Sequence, residues 1–194
     1  MAKVRLHIGD KNYSSWSMRP WLALKVGGID FEEVVHALPE MGGGKPVFGA
    51  ISPTGKVPAL ELASGVTVAE SLAICEWAAE QNPALWPKDA TERALARSAA
   101  TLMHAGFPNL RNDAPMNIKR RTDAGRMTAA GLDDAAQVDA LWSAWLKRSG
   151  GPFLFGQWSV ADAMYAPVVT RFVTYAIPRS EAAQGYIEIG RASC

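Results

Sequence analysis

The chain has 194 residues, 48% of them hydrophobic, with a formal charge of +1 at pH 7, which suits one large or two small packed domains. The balanced charge gives no electrostatic case for nucleic acid or an anionic membrane as partner, and no apolar run approaches the length of a bilayer span. Cys75 and Cys194 have neither metal-ligand nor disulfide-framework spacing, and Met1 to Arg5 lacks a signal-peptide core, so a reducing, cytoplasmic setting is expected.

Val4-Arg5-Leu6-His7-Ile8 alternates apolar and polar residues and predicts a strand. Ser14-Ser15-Trp16-Ser17 then precedes a helix to about Val26, stopped by Gly27-Gly28. Pro20 is expected in its first turn, where the lost N–H has no partner anyway. Phe31 to His36 predicts a second strand, and strand–helix–strand of this length implies a right-handed parallel unit. Leu38 to Ile51 is irregular and includes Gly42-Gly43-Gly44-Lys45-Pro46.

The stretch from Ser52 to Ile74 reads as loop, strand, turn, strand and helix. Val57-Pro58 puts a proline where a strand begins, a position that tolerates its missing N–H and where a cis peptide is most plausible. A cis bond there turns the N–H and C=O of Val57 away from the sheet and frees them for an extended ligand backbone. Glu70-Ser71 opens a helix to about Glu80. It sets a carboxylate and a hydroxyl beside unpaired N–H groups, which suits a zwitterionic α-amino acid group.

Asn82 to Pro87 marks a boundary, with Leu85 and Trp86 expected to plug it. This predicts a domain at 1–80, a linker at 81–90 and a helical domain at 91–194. Asp89 with Glu92 reads as a capping box, and the helix it opens runs to about Gly106, interrupted by Phe107-Pro108. Lys119-Arg120-Arg121 is expected to start a further helix and to form a solvated face. Leu132 to Lys147 is helical, with Val138, Leu141, Trp142, Trp145 and Leu146 on helical spacing. After a loop with buried aromatics, Ser159 and Asp162 form a second capping box, opening a helix through Tyr165 and Arg171. Glu181 to Ile187 predicts a last helix.

Ser52-Pro53-Thr54-Gly55-Lys56-Val57-Pro58-Ala59-Leu60 followed by Glu70-Ser71-Leu72-Ala73-Ile74 resembles the glutathione-site signature of the cytosolic glutathione transferases. The likeness runs from the first strand to about Ala183. It implies an α+β thioredoxin-like N-terminal domain followed by an all-α helical domain. It implies glutathione as co-substrate, no metal, and a homodimer. By the resemblance, Val57 before cis Pro58 pairs with the cysteinyl backbone of glutathione, and Glu70 and Ser71 hold its γ-glutamyl end. Lys45 and Lys56 are candidates for its glycyl carboxylate, although Lys45 reads equally well as a solvated loop charge. The Ser159–Asp162 cap has a folding role in the family. Residues 188–194 depart from its pattern and are expected to be a truncated or non-native tail.

Thiol chemistry needs a thiolate, and a free thiol with pKa near ~8.5 is only a few per cent ionised at pH 7. A hydroxyl donor and a helix N-terminus both favour the thiolate. The theta and zeta classes carry Ser-Ser-Cys-x-x-Arg at the first helix, which is similar to Ser14-Ser15-Trp16-Ser17-Met18-Arg19. Laid on that motif, Ser14 is the thiolate-stabilising donor, with Ser15 and then Ser17 as alternatives, and Trp16 stands at the zeta cysteine. Each serine also suits plain N-cap duty; Tyr13 is a weaker rival donor. An acceptor pocket is expected between the domains, with His104, Phe107, Leu110, Arg111 and Met116 as candidates. Arg111 suits an acidic or nitro-bearing acceptor. Arg171 lies about one helical turn from the isomerases' substrate arginine, so that role is not carried over.

The reading is conjugation of the glutathione thiolate to a small electrophile. Alternatives are a glutathione-dependent cis–trans isomerase like maleylacetoacetate isomerase, or a non-catalytic binding protein. Gly42 to Lys45 lacks phosphate-loop spacing. No G-x-S-x-G supports a serine hydrolase, and no C-x-x-C supports disulfide exchange.

Overall fold

Leu6 and Ile8 alternate with Arg5 and His7 along β1 (Val4–Gly9), and both apolar side chains are buried. In the computed structural model, which describes residues 3–38 and 47–192, this strand is the centre of a four-stranded sheet. The helix α1 (Ser15–Val26) leads to β2 (Phe31–His36), which pairs parallel to β1. Two short strands follow, β3 (Ala59–Glu61) and β4 (Thr67–Ala69), each antiparallel to its neighbour. The order is β2-β1-β3-β4, and α2 (Ser71–Gln81) then packs against α1. Leu22, Leu24, Leu60 and Ile74 join Leu6 and Ile8 in the buried core. This is the expected thioredoxin-like arrangement.

The chain divides into two compact units, residues 1–85 and 86–194. The second unit contains α3 (Ala90–Ala105), α4 (Pro108–Asp113), α5 (Ala129–Ser149), α6 (Val160–Thr174) and α7 (Glu181–Ala192). Almost every side chain of α6 is buried, as expected of a helix apolar on all faces. Trp142 of α5 is fully buried, with ring centroids 5.8 Å from Tyr165, 5.2 Å from Phe172 and 5.1 Å from Tyr186. One indole thus joins α5, α6 and α7.

Several expectations need correction. Pro20 lies in the second turn of α1, because the helix starts at Ser15; there its ring takes an amide out of the helical ladder. Lys119, Arg120 and Arg121 start no helix. They are exposed in an irregular segment tied to the end of α6: Thr122 N–H donates to the Thr174 carbonyl at 2.7 Å, and Tyr175 Oη to that of Pro115 at 2.8 Å. Helix α5 starts at Ala129, before Leu132, because the Thr128 hydroxyl caps it by accepting from Gly131 N–H at 3.1 Å. The Asp89 carboxylate caps α3, accepting from the Thr91 and Glu92 amides at 2.9 Å each. Glu92 is bound by Arg148 at 2.6 Å, instead of closing a capping box with Asp89.

Asp162 ties the second unit together. Its carboxylate accepts from Leu154 N–H at 3.1 Å, Ser159 N–H at 2.9 Å, Ser159 Oγ at 3.1 Å and Tyr186 Oη at 3.1 Å. Those donors come from the loop before α6, its N-cap and α7. Replacing Asp162 with Ala leaves these buried donors unsatisfied and is expected to cost about 2–4 kcal/mol in denaturant unfolding. Burial pushes the carboxyl up to about 6, against the pull of the four donors. A carboxyl whose folded pKa stands above its unfolded value favours the fold most when protonated. Its contribution therefore falls as pH rises from about 4 through about 6. Between about pH 5 and pH 7 the native chain should lose about 1 kcal/mol relative to Asp162→Asn. Parallel pH–stability curves for the two would contradict this assignment.

Candidate functional site

The sheet register brings three separate segments to one end. His7 lies opposite Ala59 and Ala59 opposite Ala69. Since β1 and β3 are antiparallel, as are β3 and β4, the exit of β1, the entry of β3 and the exit of β4 share an edge. Ser14 follows β1, Val57-Pro58 precedes β3, and Glu70-Ser71 follows β4.

Ser14 is the N-cap of α1, and its carbonyl accepts from Met18 N–H at 3.2 Å. An ordinary serine cap accepts from a backbone amide of the first turn. Ser14 does not: its side chain makes no cap bond to the helix. Its Oγ instead donates to Ser17 Oγ at 2.7 Å, and Ser17 Oγ also accepts from Gly9 N–H at 3.1 Å. Both hydroxyls are buried, at 9% and 3% exposure. Ser15 is half-buried at the first helical position, and its carbonyl accepts from Arg19 Nη1 at 2.9 Å. The Arg19 guanidinium lies over the Trp16 ring at 4.2 Å. Tyr13 is 56% exposed.

Sequence reasoning missed Gly9. A Cβ at this position would lie 2.6 Å from Leu38 Cδ2 and 3.1 Å from Ser14 Cβ. The strand end, the β2 exit and the α1 cap therefore meet so closely that a side chain here would push that of Leu38 aside. A glycine directly after an alternating strand was the available signal, but it also reads as ordinary loop punctuation.

The Val57–Pro58 peptide is cis, as anticipated. Pairing of β3 begins at Ala59, so Val57 stands outside the ladder. Lys56 is exposed beside it. Lys45 lies outside the described residues, as does Cys194. Glu70 is the N-cap of α2 at φ 78, ψ 129. Such backbone costs a residue with a side chain about 1–3 kcal/mol and concentrates at functional sites. Ser71 Oγ is buried and has no hydrogen-bond partner among the described residues. Cys75, on the same helix, is buried, and burial pushes its thiol up, away from thiolate chemistry.

The remaining candidates belong to the second unit. Phe107, in the left-handed region at φ 56, caps α4. Phe107, Leu110 and Met116 are buried, and His104 is half-buried near the end of α3. Arg111 is half-buried, and burial lowers its pKa. Arg171 is buried, with Nε donating to the Ala114 carbonyl at 2.8 Å. Burial, then the charge of Arg111, brings Arg171 down to about 10. Among the described residues no cluster of His, Cys, Asp and Glu could hold a metal, and no helix is long and apolar enough to cross a membrane.

Residues 13–81 match the family model described as glutathione S-transferase, N-terminal domain. A rat protein named maleylacetoacetate isomerase is 34% identical over 160 residues, covering 80% of this chain and 71% of the relative. A protein of the same name from Pseudomonas aeruginosa is 33% identical over 122 residues, covering 61% of this chain and 57% of that one. The chain thus spans more than two thirds of the first relative and under two thirds of the second. The structure of a glutathione transferase homologue from Burkholderia, with bound glutathione, superposes with a TM-score of 0.73 at 24% identity. It covers 98% of this chain and 92% of that one.

The contact at Gly9 is testable. Gly9→Ala should cost up to about 1 kcal/mol, because the added methyl pushes aside the far end of the flexible Leu38 side chain. Part of that cost should be recovered in Gly9→Ala with Leu38→Ala, because Leu38 is the first atom met. Additive losses in a double-mutant cycle would show that the two residues do not compete for the same space.

Proposed function

Because the chain belongs to the cytosolic glutathione transferase family, we propose that it binds glutathione at the shared edge of β1, β3 and β4, where Ser14 holds the sulfur as a thiolate for attack on a small electrophile. The observation carrying this reading is the Ser14 hydroxyl, buried at a helix N-terminus yet not used to cap the helix. A hydroxyl so placed can donate to a sulfur anion. The thiol proton leaves to solvent. Stabilising the thiolate by ~2 kcal/mol lowers the pKa by about 1.5 units, which one charge-assisted hydrogen bond can supply. The helix dipole adds up to ~1 kcal/mol.

The rest of glutathione is assigned by the same register. The Val57 backbone, ahead of Pro58 and outside the β3 ladder, meets the cysteinyl backbone. Glu70 and Ser71 hold the γ-glutamyl group, supported by the constrained backbone of Glu70 and the buried hydroxyl of Ser71, which has no partner among the described residues. Lys56, exposed beside Val57, is assigned to the glycyl carboxylate, and the family likeness offers Lys45 as a second candidate. The thiolate then forms a C–S bond as the leaving group departs with its electron pair. Catalysis is pKa lowering together with proximity.

A second reading is isomerisation. The thiolate adds to a conjugated double bond, rotation follows about the resulting single bond, and the thiolate leaves unchanged. The names carried by the rat and Pseudomonas relatives favour it. Trp16 at the zeta cysteine position weighs against it. Isomerisation of a cis-dienoic acid without net loss of glutathione would select this reading over conjugation.

Ser14→Ala should lower kcat/KM for conjugation about 10–1000-fold, the effect of removing a donor worth ~1–4 kcal/mol. Unchanged kcat/KM in that variant would remove Ser14 from the mechanism.

A further inference from the structure

Hydrogen bonds link three groups at the exit of β1: the Gly9 amide, the Ser17 hydroxyl and the Ser14 hydroxyl. Ser17 Oγ accepts twice, from Gly9 N–H at 3.1 Å and from Ser14 Oγ at 2.7 Å. In this arrangement the Ser14 proton points at Ser17. A serine has a single O–H proton, so Ser14 cannot donate to Ser17 and to a sulfur anion at once.

We propose that the Ser14–Ser17 hydrogen bond reverses when glutathione binds, so that Ser17 becomes a positioning residue for the thiolate. In the bound state Gly9 N–H still donates to Ser17 Oγ. Ser17 now donates to Ser14 Oγ, and Ser14 donates to the sulfur. Both hydroxyls rotate and no covalent bond is made or broken. All three donors then point the same way, towards the negative charge.

The reversal rests on the serine reading given above. Its physical basis is geometric. Ser17 is 3% exposed, so its rotation is confined to a few buried partners. The Gly9 amide is fixed by the strand and holds Ser17 Oγ in place through either direction of the bond. A donor that itself accepts a hydrogen bond is polarised and donates more strongly. Ser17 therefore strengthens Ser14 without touching sulfur. Of the three helix-start serines, Ser17 is the one joined to Ser14 through its side chain.

The test is the pKa of enzyme-bound glutathione, read from thiolate ultraviolet absorbance across a pH series with native chain, Ser14→Ala and Ser17→Ala. Ser14→Ala should raise that pKa by about 1 unit or more, the value of a charge-assisted bond. Ser17→Ala should raise it by a smaller amount, about 0.2–0.5 unit, the polarisation that Ser17 adds to the charge-assisted bond, and should move the pH profile of kcat/KM for the electrophile, at saturating glutathione, by the same amount. If Ser17→Ala does not fold, the near-isosteric pair Ser17→Thr and Ser17→Val carries the test. The threonine should keep the native pKa and the valine should raise it. A raised pKa in Ser14→Ala with a native value in Ser17→Ala, or with equal values in the Thr and Val variants, overturns the reversal and leaves the Ser14 reading intact. A native pKa in Ser14→Ala overturns both.

Discussion

The chain packs closely where β1 ends. The exit of the central strand, the exit of β2 and the first residue of the α1 cap converge on Gly9. The rest of the N-terminal unit is arranged around that contact. The β1–β2 register brings His36 opposite Gly9, and so brings Leu38 close. The amide of Gly9 then holds Ser17, and Ser17 engages Ser14. A backbone position with no substituent thus transmits the rigidity of a buried strand to a hydroxyl at a helix start. Antiparallel pairing with β3 and β4 delivers Val57 and Glu70 to the same edge. The site is a consequence of strand order and register before any ligand is considered.

The helical unit rests on a different interaction. A fully buried carboxylate, Asp162, collects donors from the loop before α6, the α6 cap and α7. The cost of burying the charge is partly offset by those bonds, and burial remains the larger effect on its pKa. Its use is to fix how three segments meet, beside the Trp142 aromatic cluster that joins the same helices. In both units a polar group recruited from the start of a helix sets the geometry that apolar packing then fills.

Much of this was legible in the sequence because local chemistry suffices for it. Alternation identifies β1, Gly27-Gly28 stops α1, and Ser159 with Asp162 announces α6. The Val57-Pro58 and Glu70-Ser71 stretch carries the family likeness. The features that escaped depend on contacts distant in sequence. Nothing near Gly9 tells of Leu38, which lies across the β1–β2 connection. Three serines at one helix start look alike until the buried strand amide distinguishes Ser17. Lys119-Arg120-Arg121 resembles the polar start of a helix, yet nearby carbonyls are claimed by side chains at the end of α6. Glu92 has the spacing of a capping box and is instead bound by Arg148 on α5.

Fold and family place this chain among the glutathione transferases; the chemistry turns on whether the Ser14 edge ionises a thiol. Titrating glutathione calorimetrically into the native chain near pH 7, in two buffers of different ionisation enthalpy, measures this directly. The account predicts binding with release of close to one proton. Binding without proton release would contradict it, because the site would then hold glutathione as a thiol and Ser14 would not activate sulfur.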